Sequence, residues 1–179
     1  MKNNTAEYEN HLDEEEARWF AVYTRYKREK LVNRLLSNKK IDTYLPLQKV
    51  TRRYARKIKK LELPLISCYI FVKITASQYL PVLETENVVR FVRFSKNLLS
   101  IPEMEIQIIR KVVGEEGIEL EAEPTQLHIG DEVEIIGGNL TGLSGILLEK
   151  KGKKKMVVEL EKMGYSLLMN IDASLLRKP

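Results

Sequence analysis

Apolar positions follow two periodicities in the first 112 residues, and together they predict an α+β fold. Leu31, Val32, Leu35 and Leu36 recur at helical spacing, whereas residues 65–74 (LISCYIFVKI) form the strongest strand pattern. The predicted strands are residues 19–24, 41–50, 65–74 and 88–94, and the predicted helices are residues 27–38, 77–84 and 103–113. The resulting order, β-α-β-β-α-β-α, is typical of an antiparallel sheet with helices on one face, the split βαβ architecture.

The last third of the chain shows short alternating runs, which predict an all-β domain. The runs are residues 132–136, 145–150, 155–160 and 166–171, separated by glycine or charged turns. So short a domain must close into a small barrel to avoid open sheet edges. Residues 113–126 have no periodic apolar face and contain glycine and proline, so we expect a flexible acidic linker there. The expected domains are therefore 17–112 and 127–179, preceded by a disordered acidic tail at 1–16.

Positive charge is concentrated in the first of these domains. The chain has a net charge of +5, but residues 17–112 alone carry +14, while residues 1–16 and 113–126 carry −5 each. A positive field of this size favours polyanions, and nucleic acids are the main polyanions of the cytosol. The single cysteine, Cys68, cannot form an internal disulfide, and no apolar stretch has the length of a membrane span or an export signal. We expect a cytoplasmic protein.

Two stretches of the sequence resemble known families. The glycine pattern at residues 130–145 (GDEVEIIGGNLTGLSG) resembles the KOW motif, which marks a small SH3-like barrel in NusG-family factors and several ribosomal proteins. Residues 18–112 resemble the NusG N-terminal domain. The matching runs are 19–23 (WFAVY), 64–72 (PLISCYIFV), 87–94 (NVVRFVRF) and 101–102 (IP). The chain is identified as a member of the NusG family, and residues 44–46 (YLP) and 91–94 (FVRF) resemble its specialised paralogues RfaH and UpxY.

The resemblance implies a surface that docks on the coiled coil of the RNA polymerase clamp. The residues at the matching positions are Trp19, Tyr23, Ile66, Tyr69 and Phe71. Strand alternation puts Tyr69 and Phe71 on one face of the sheet. Ile70 and Val72 lie on the other face, and the sequence leaves open which of the two is the core. The family's Phe-Pro-Gly run is replaced here by residues 66–68 (ISC).

Two cationic clusters are candidate contacts for DNA or nascent RNA near the polymerase. The first, within residues 49–60, contains Arg52, Arg53, Arg56, Lys57, Lys59 and Lys60. The second contains Arg25, Lys27 and Arg28. Cations spread along a segment suit phosphate contacts, and the alternative for each cluster is a merely solvated surface. In RfaH-like relatives the second region helps to read an exposed DNA element, which implies a DNA contact at Arg25.

The resemblance also implies a partner site on the KOW domain. The residues at the matching loop positions are Leu140, Leu143, Met163 and Tyr165. In NusG relatives the partners include ribosomal protein S10 and the termination factor Rho. In RfaH-like proteins the C-terminal segment also refolds into helices that mask the polymerase-binding surface, and the sequence leaves open whether this chain does so.

No catalytic, metal or cofactor site is expected. His11 lies in the acidic tail, His128 at a domain start and Cys68 in an apolar strand with no base nearby, and neither zinc-ligand spacing nor a phosphate-binding glycine loop is present. The family resemblance implies a monomeric, non-enzymatic elongation and antitermination factor. Its predicted targets are particular long operons such as surface-polysaccharide clusters. The alternative is a ribosome-associated or RNA-binding KOW protein that works without polymerase.

Overall fold

The computed structural model describes residues 8–54, 57–115, 118, 120–124, 130–150, 153–160 and 163–179. The chain forms two compact units. The first comprises residues up to Leu45 together with Ser67–Glu103, and the second comprises Pro46–Ile66 together with Met104–Pro179.

Three α-helices and twelve strands are formed by the described residues. The helices are α1 (Glu29–Asn38), α2 (Tyr79–Leu83) and α3 (Glu103–Gly114). The strands are β1 (Arg18–Thr24), β2 (Asp42–Tyr44), β3 (Leu47–Tyr54), β4 (Lys57–Pro64), β5 (Tyr69–Ile74), β6 (Val88–Phe91), β7 (Leu120–Pro124), β8 (Asp131–Ile135), β9 (Ser144–Lys150), β10 (Lys153–Leu160), β11 (Tyr165–Met169) and β12 (Leu176–Arg177). None of these helices is long and apolar enough to cross a membrane.

The first unit is built on a four-stranded antiparallel sheet in the order β2-β5-β1-β6. Its core contains Phe20, Val22, Val32, Leu36, Ile70 and Val72. Because Ile70 and Val72 belong to this core, alternation puts Tyr69 and Phe71 on the opposite face of the sheet. The Ile70 face of β5 therefore packs on the core, and the Tyr69 face does not.

The helices and strands predicted for this unit are present, and backbone geometry explains where their ends differ. Helix α1 starts at Glu29 because Lys27 has a φ of +59°, outside the helical region. Strand β5 starts at Tyr69 because Cys68 has a φ of +66°. The strand predicted at 41–50 is divided into β2 and β3 at Pro46, which has no N–H for a sheet ladder.

The disordered tail predicted for residues 1–16 is wrong for residues 8–16, and residues 1–7 lie outside the described residues. Asn10 forms a parallel bridge with Leu98. The His11 N–H donates to the Leu98 carbonyl at 2.9 Å, and the Leu98 N–H donates to the Glu9 carbonyl at 2.9 Å. The Ala76 N–H donates to the Asp13 carbonyl at 2.7 Å. The acidic composition of this segment did not reveal that it adds an ordered strand-like run to the fold.

The second unit contains the antiparallel β3–β4 hairpin, nearly all of α3 and a six-stranded sheet in the order β12-β8-β9-β10-β11-β7. The four runs predicted after residue 127 correspond to β8, β9, β10 and β11, with ends within two residues. The chain is thus a mixed fold of helices and antiparallel sheets, as predicted. Closure of the six-stranded sheet into a barrel stays a prediction.

The flexible linker predicted at 113–126 is wrong for part of its length. Helix α3 continues through Gly114, and β7 pairs with β11 along its whole length, from Leu120 opposite Met169 to Pro124 opposite Tyr165. Leu120 is buried. Burial of its side chain and the cross-strand hydrogen bonds hold β7 on the sheet. Residues 116, 117, 119, 125 and 126 lie outside the described residues.

At two positions of the KOW-like pattern the structure shows why the residue is glycine. A Cβ at Gly145 in β9 would collide with the Val157 carbonyl and the Met156 side chain of β10. Gly142 has a φ of +86°, which a residue with a Cβ adopts only with strain. The glycine pattern therefore reflects close strand packing at one position and a left-handed turn at another.

Candidate protein and nucleic-acid interfaces

The residues predicted to dock on a protein partner differ in their accessibility. Trp19 and Phe71 lie on the sheet face opposite the core but are only 3% and 1% exposed. Ile66 belongs to the second unit and is also buried. Tyr23 and Tyr69, on the same face as Phe71, are half-buried. Of the five predicted residues, only these two tyrosines present a substantial surface.

Tyr23 and Tyr69 form one aromatic pair across β1 and β5. Their rings meet edge to face with centroids 5.6 Å apart, and the Arg90 guanidinium lies 5.8 Å from the Tyr23 centroid. Charge repulsion from the neighbouring Cys68 side chain is the largest cause that raises the pKa of the Tyr23 phenol above its usual value. A tyrosine phenol is neutral at physiological pH even with its usual pKa, and the shift extends the protonated range of Tyr23 to higher pH.

The turn before β5 fixes the position of Tyr69. Cys68 occupies the left-handed region, where the resembling family has glycine. Its N–H donates to the buried Glu29 carboxylate at 2.8 Å, and its carbonyl accepts from the Thr24 N–H at 2.8 Å. These two bonds join the turn to α1 and β1 and hold a backbone conformation that costs roughly 1–2 kcal/mol for a residue with a Cβ.

Trp19 is fixed by a polar contact at the start of α3. Its indole Nε1–H donates to Glu103 Oε2 at 2.7 Å, and Lys73 Nζ donates to the same oxygen at 3.1 Å. The Lys73 ammonium also lies 5.9 Å from the Trp19 ring centroid. Together with its burial, these contacts assign Trp19 a structural role beside the aromatic pair rather than an exposed one.

The predicted cationic cluster after β1 forms an exposed turn. Arg25, Lys27 and Arg28 are all exposed, and none forms an ion pair with a described residue. The Arg28 N–H donates to the Arg25 carbonyl at 3.1 Å, which closes the turn. Tyr26 projects from it with 67% of its surface exposed. Tyr26 is not among the predicted nucleic-acid contacts, although an aromatic residue between cations is a signal for stacking on nucleic acid.

The predicted cationic cluster within residues 49–60 lies on the β3–β4 hairpin and divides between its two faces. Arg52 pairs directly with Lys59, and Lys57 shares their face by strand alternation. Arg53 and Lys60 lie on the other face. All five are exposed, and none forms an ion pair with a described residue. Arg56 lies outside the described residues.

A direct Arg52–Lys59 pair is unfavourable in a free hairpin because like charges opposite each other destabilise a sheet. The other face carries an acid, Glu62, opposite Lys49. The Arg52 face has no acid among the described residues of the hairpin. That face is therefore the more suitable for a phosphate backbone.

The predicted partner residues on the six-stranded sheet also differ in accessibility. Leu140 and Met163 are each 5% exposed and pack inside the unit. Leu143 and Tyr165 are half-buried. Leu140 and Leu143 line a cleft of about 430 Å³ together with Met104 and Ile108 of α3, and Met104 is 71% exposed. A partner entering this cleft would meet Leu143 and Met104 more than the buried Leu140, and Tyr165 is not part of its lining.

One feature of the first unit is absent from the sequence predictions. A cleft of about 580 Å³ lies along β6, the edge strand of the four-stranded sheet. Its lining includes Tyr23, Tyr69, Tyr79, Leu83, Arg90 and Arg93. The alternation of residues 88–94 predicted a strand, but only the packing of α2 beside it creates the cleft.

The comparisons with known proteins agree with the fold. A family model described as "Transcription termination factor nusG" matches residues 17–110, more than half of the chain. The chain therefore belongs to the NusG family. The factors of this family are transcription factors without enzymatic activity.

Solved structures extend the likeness to most of the chain. A structure described as "Domain interaction in Thermotoga maritima NusG" is 20% identical, covers 90% of this chain and 97% of that chain, and has a TM-score of 0.55. At this identity the likeness concerns the fold alone. The MjSpt4:Spt5 complex in conformation A is 18% identical and covers 89% of this chain and 96% of that chain, with a TM-score of only 0.29. Comparison with curated proteins gives no significant match.

Proposed function

We propose that this chain is a specialised, cytoplasmic NusG-type factor that binds RNA polymerase during elongation and opposes termination. The observation that carries the proposal is the Tyr23–Tyr69 pair, which lies on the sheet face opposite the core and keeps part of its surface exposed. Its targets are particular long operons such as surface-polysaccharide clusters, by analogy with the RfaH and UpxY resemblance of residues 44–46 and 91–94.

The aromatic pair docks on the coiled coil of the polymerase clamp. Two tyrosines suit this role because aromatic rings bury a large area at a small cost in side-chain entropy. A tyrosine phenol is neutral at physiological pH, so no anion has to be desolvated on docking. Binding keeps the clamp closed, and catalysis remains that of the polymerase.

The cationic clusters hold nucleic acid beside the docked factor. The Arg52 face of the hairpin contacts phosphates without reading sequence, and the exposed turn with Arg25, Lys27 and Arg28 contacts a DNA strand near the polymerase. In this proposal residues 127–179 act as a KOW domain. Its half-buried Leu143 and Tyr165 recruit a second protein, such as ribosomal protein S10.

Binding of the purified protein to RNA polymerase elongation complexes tests the proposal. Tyr69→Ala is expected to weaken binding roughly 30-fold, the effect of losing an interface residue worth about 2 kcal/mol. Tyr69→Phe keeps the ring and is expected to bind nearly as well as the wild type. Tyr8→Ala is the matched control, since Tyr8 is a 55% exposed tyrosine whose hydroxyl contacts only Lys96 among the described residues.

The outcomes separate the competing functions. Wild-type protein that fails to bind at micromolar concentration contradicts the proposal, and copurification with ribosomal subunits instead would support the KOW protein that works without polymerase. If Tyr69→Ala binds RNA polymerase as tightly as the wild type, RNA polymerase remains the partner but the docking surface lies elsewhere on the protein.

A further inference from the structure

The cleft along β6 combines aromatic walls with two guanidinium groups. Its lining includes the Tyr23–Tyr69 pair and Tyr79, whose ring is stacked on Phe91 with centroids 4.5 Å apart. Arg90 and Arg93 both line the cleft. None of its lining residues is acidic.

Neither guanidinium is neutralised within the described part of the chain. Arg90 is exposed and lies over the Tyr23 ring, and its interactions include no carboxylate. Arg93 donates to the Lys96 carbonyl at 3.1 Å and to the Tyr79 hydroxyl at 3.4 Å, both uncharged acceptors. These contacts orient Arg93 while leaving its charge uncompensated.

The walls of the cleft favour an anionic group carried on a protein over a nucleic-acid backbone. Leu83, Phe91 and Val92 contribute apolar surface, and the cleft opens onto the Tyr23–Tyr69 pair. A phosphate backbone is better matched by the hairpin, which has five exposed cations spread over two strands. A guanidinium fork beside aromatic rings suits a single carboxylate flanked by apolar side chains, because the bidentate bond fixes its orientation.

We propose that this cleft receives an acidic side chain of the protein on which the Tyr23–Tyr69 pair docks, with Arg90 and Arg93 as its counter-ions. The inference rests on the proposed function and adds the chemistry that the partner must present: a carboxylate with apolar neighbours, next to the surface covered by the two tyrosines. Arg90 and Arg93 then determine which partner is accepted, since an apolar or basic residue at that point would leave both guanidinium groups desolvated and unpaired.

The experiment compares charge-reversal variants for binding to RNA polymerase, both as the free enzyme and as an elongation complex with DNA and RNA. Arg90→Glu and the double variant with Arg93→Glu are expected to weaken binding to both forms by at least about 30-fold, the usual loss when a desolvated charge pair is broken. Arg90→Lys keeps the charge but loses the fork and is expected to show a smaller loss. Arg34→Glu reverses an exposed arginine of α1 in the same unit and is expected to bind within about twofold of wild type, given the small effect of charges outside an interface.

Each result decides the inference. Loss of binding confined to the elongation complex would mean that the cleft holds a phosphate, which overturns the proposal. Equal losses for Arg34→Glu and Arg90→Glu would reduce the effect to net charge and also overturn it. If the wild type binds and Arg90→Glu binds equally well, the role of the cleft is refuted but the proposed function is not. If the wild type does not bind, both are refuted. Near-ultraviolet circular dichroism of each variant confirms that the fold is kept.

Discussion

Replacing Arg52 and Lys59 together by glutamine removes two charges from a single face of the β3–β4 hairpin. The two residues are direct cross-strand partners, both exposed, and neither forms an ion pair with a described residue. The double variant Arg53→Gln/Lys60→Gln is a matched control, since it removes one arginine and one lysine from the opposite face. The two variants have the same net charge and differ only in the face that loses it.

The expected difference can be derived from counterion release. Each phosphate contact contributes roughly 0.9 to the slope of log affinity against log salt concentration on duplex DNA. Loss of two contacts lowers that slope by roughly 1.8, so a fourfold rise in salt weakens the wild type roughly twelvefold more than the Arg52/Lys59 variant. The variant should fold at least as well as the wild type, because it relieves a direct pairing of like charges.

Fluorescence anisotropy with a labelled duplex of about three helical turns, at several salt concentrations from 50 to 200 mM, measures this slope. The control variant is expected to keep the wild-type slope, because its charges face away from the DNA. Slopes that fall by the same amount in the two double variants would show that binding depends on net charge alone and would refute the assignment of a binding face. An unchanged slope in both would exclude the hairpin from the interface.

Four further expectations concern stability, ionisation and fluorescence. Gly145→Ala should lower the free energy of unfolding by about 3 kcal/mol, because its Cβ would collide with buried β10. Gly114→Ala, which has open space around its Cβ, should be neutral or stabilising. Calorimetry measures both effects, and equal effects would contradict the packing argument. The pKa of Tyr23 should fall toward its usual value in Cys68→Ala, because Cys68 is the main cause of its rise, and a ¹³C NMR titration showing no change would contradict this. Because folding raises this pKa, the wild type should lose stability as pH rises through the ordinary tyrosine range near 10, and Cys68→Ala should lose less, as denaturant unfolding at several pH values would show. Glu103→Ala should change the emission of Trp19, the only tryptophan, whereas Glu103→Gln, which keeps an acceptor oxygen, should change it less; identical spectra would contradict a bond in solution.

Elements with a strong local pattern could be predicted from the sequence. The core strand β5 and the strands β8–β11 follow alternating or continuously apolar runs, so their positions required no tertiary information. The choice of core face on β5 could not be predicted, because both faces of that strand are largely apolar and only the packing of α1 distinguishes them.

The errors have different physical causes. Strand β7 has a short local signal, since Leu120 and Ala122 alternate with Glu121 and Glu123, but this run is flanked by glycine and proline, which are typical of a linker. The order of residues 8–16 depends largely on backbone bonds to Leu98 and Ala76, which are distant in sequence. Trp19 and Phe71 are buried, whereas Tyr23 and Tyr69 are only half-buried. The sequence could not show this difference, because an aromatic residue suits a core and an interface equally well.

The backbone bonds between residues 9–11 and Leu98 bear on how a fragment of this protein is designed. A fragment that begins at residue 17, where the family match begins, would lack both partners of a residue that is 1% exposed. The Leu98 N–H and carbonyl would then have to find water or remain unpaired, at about 1–3 kcal/mol for each buried group. Such a fragment would test the docking face on a weakened scaffold, and one that starts at or before Tyr8 would not.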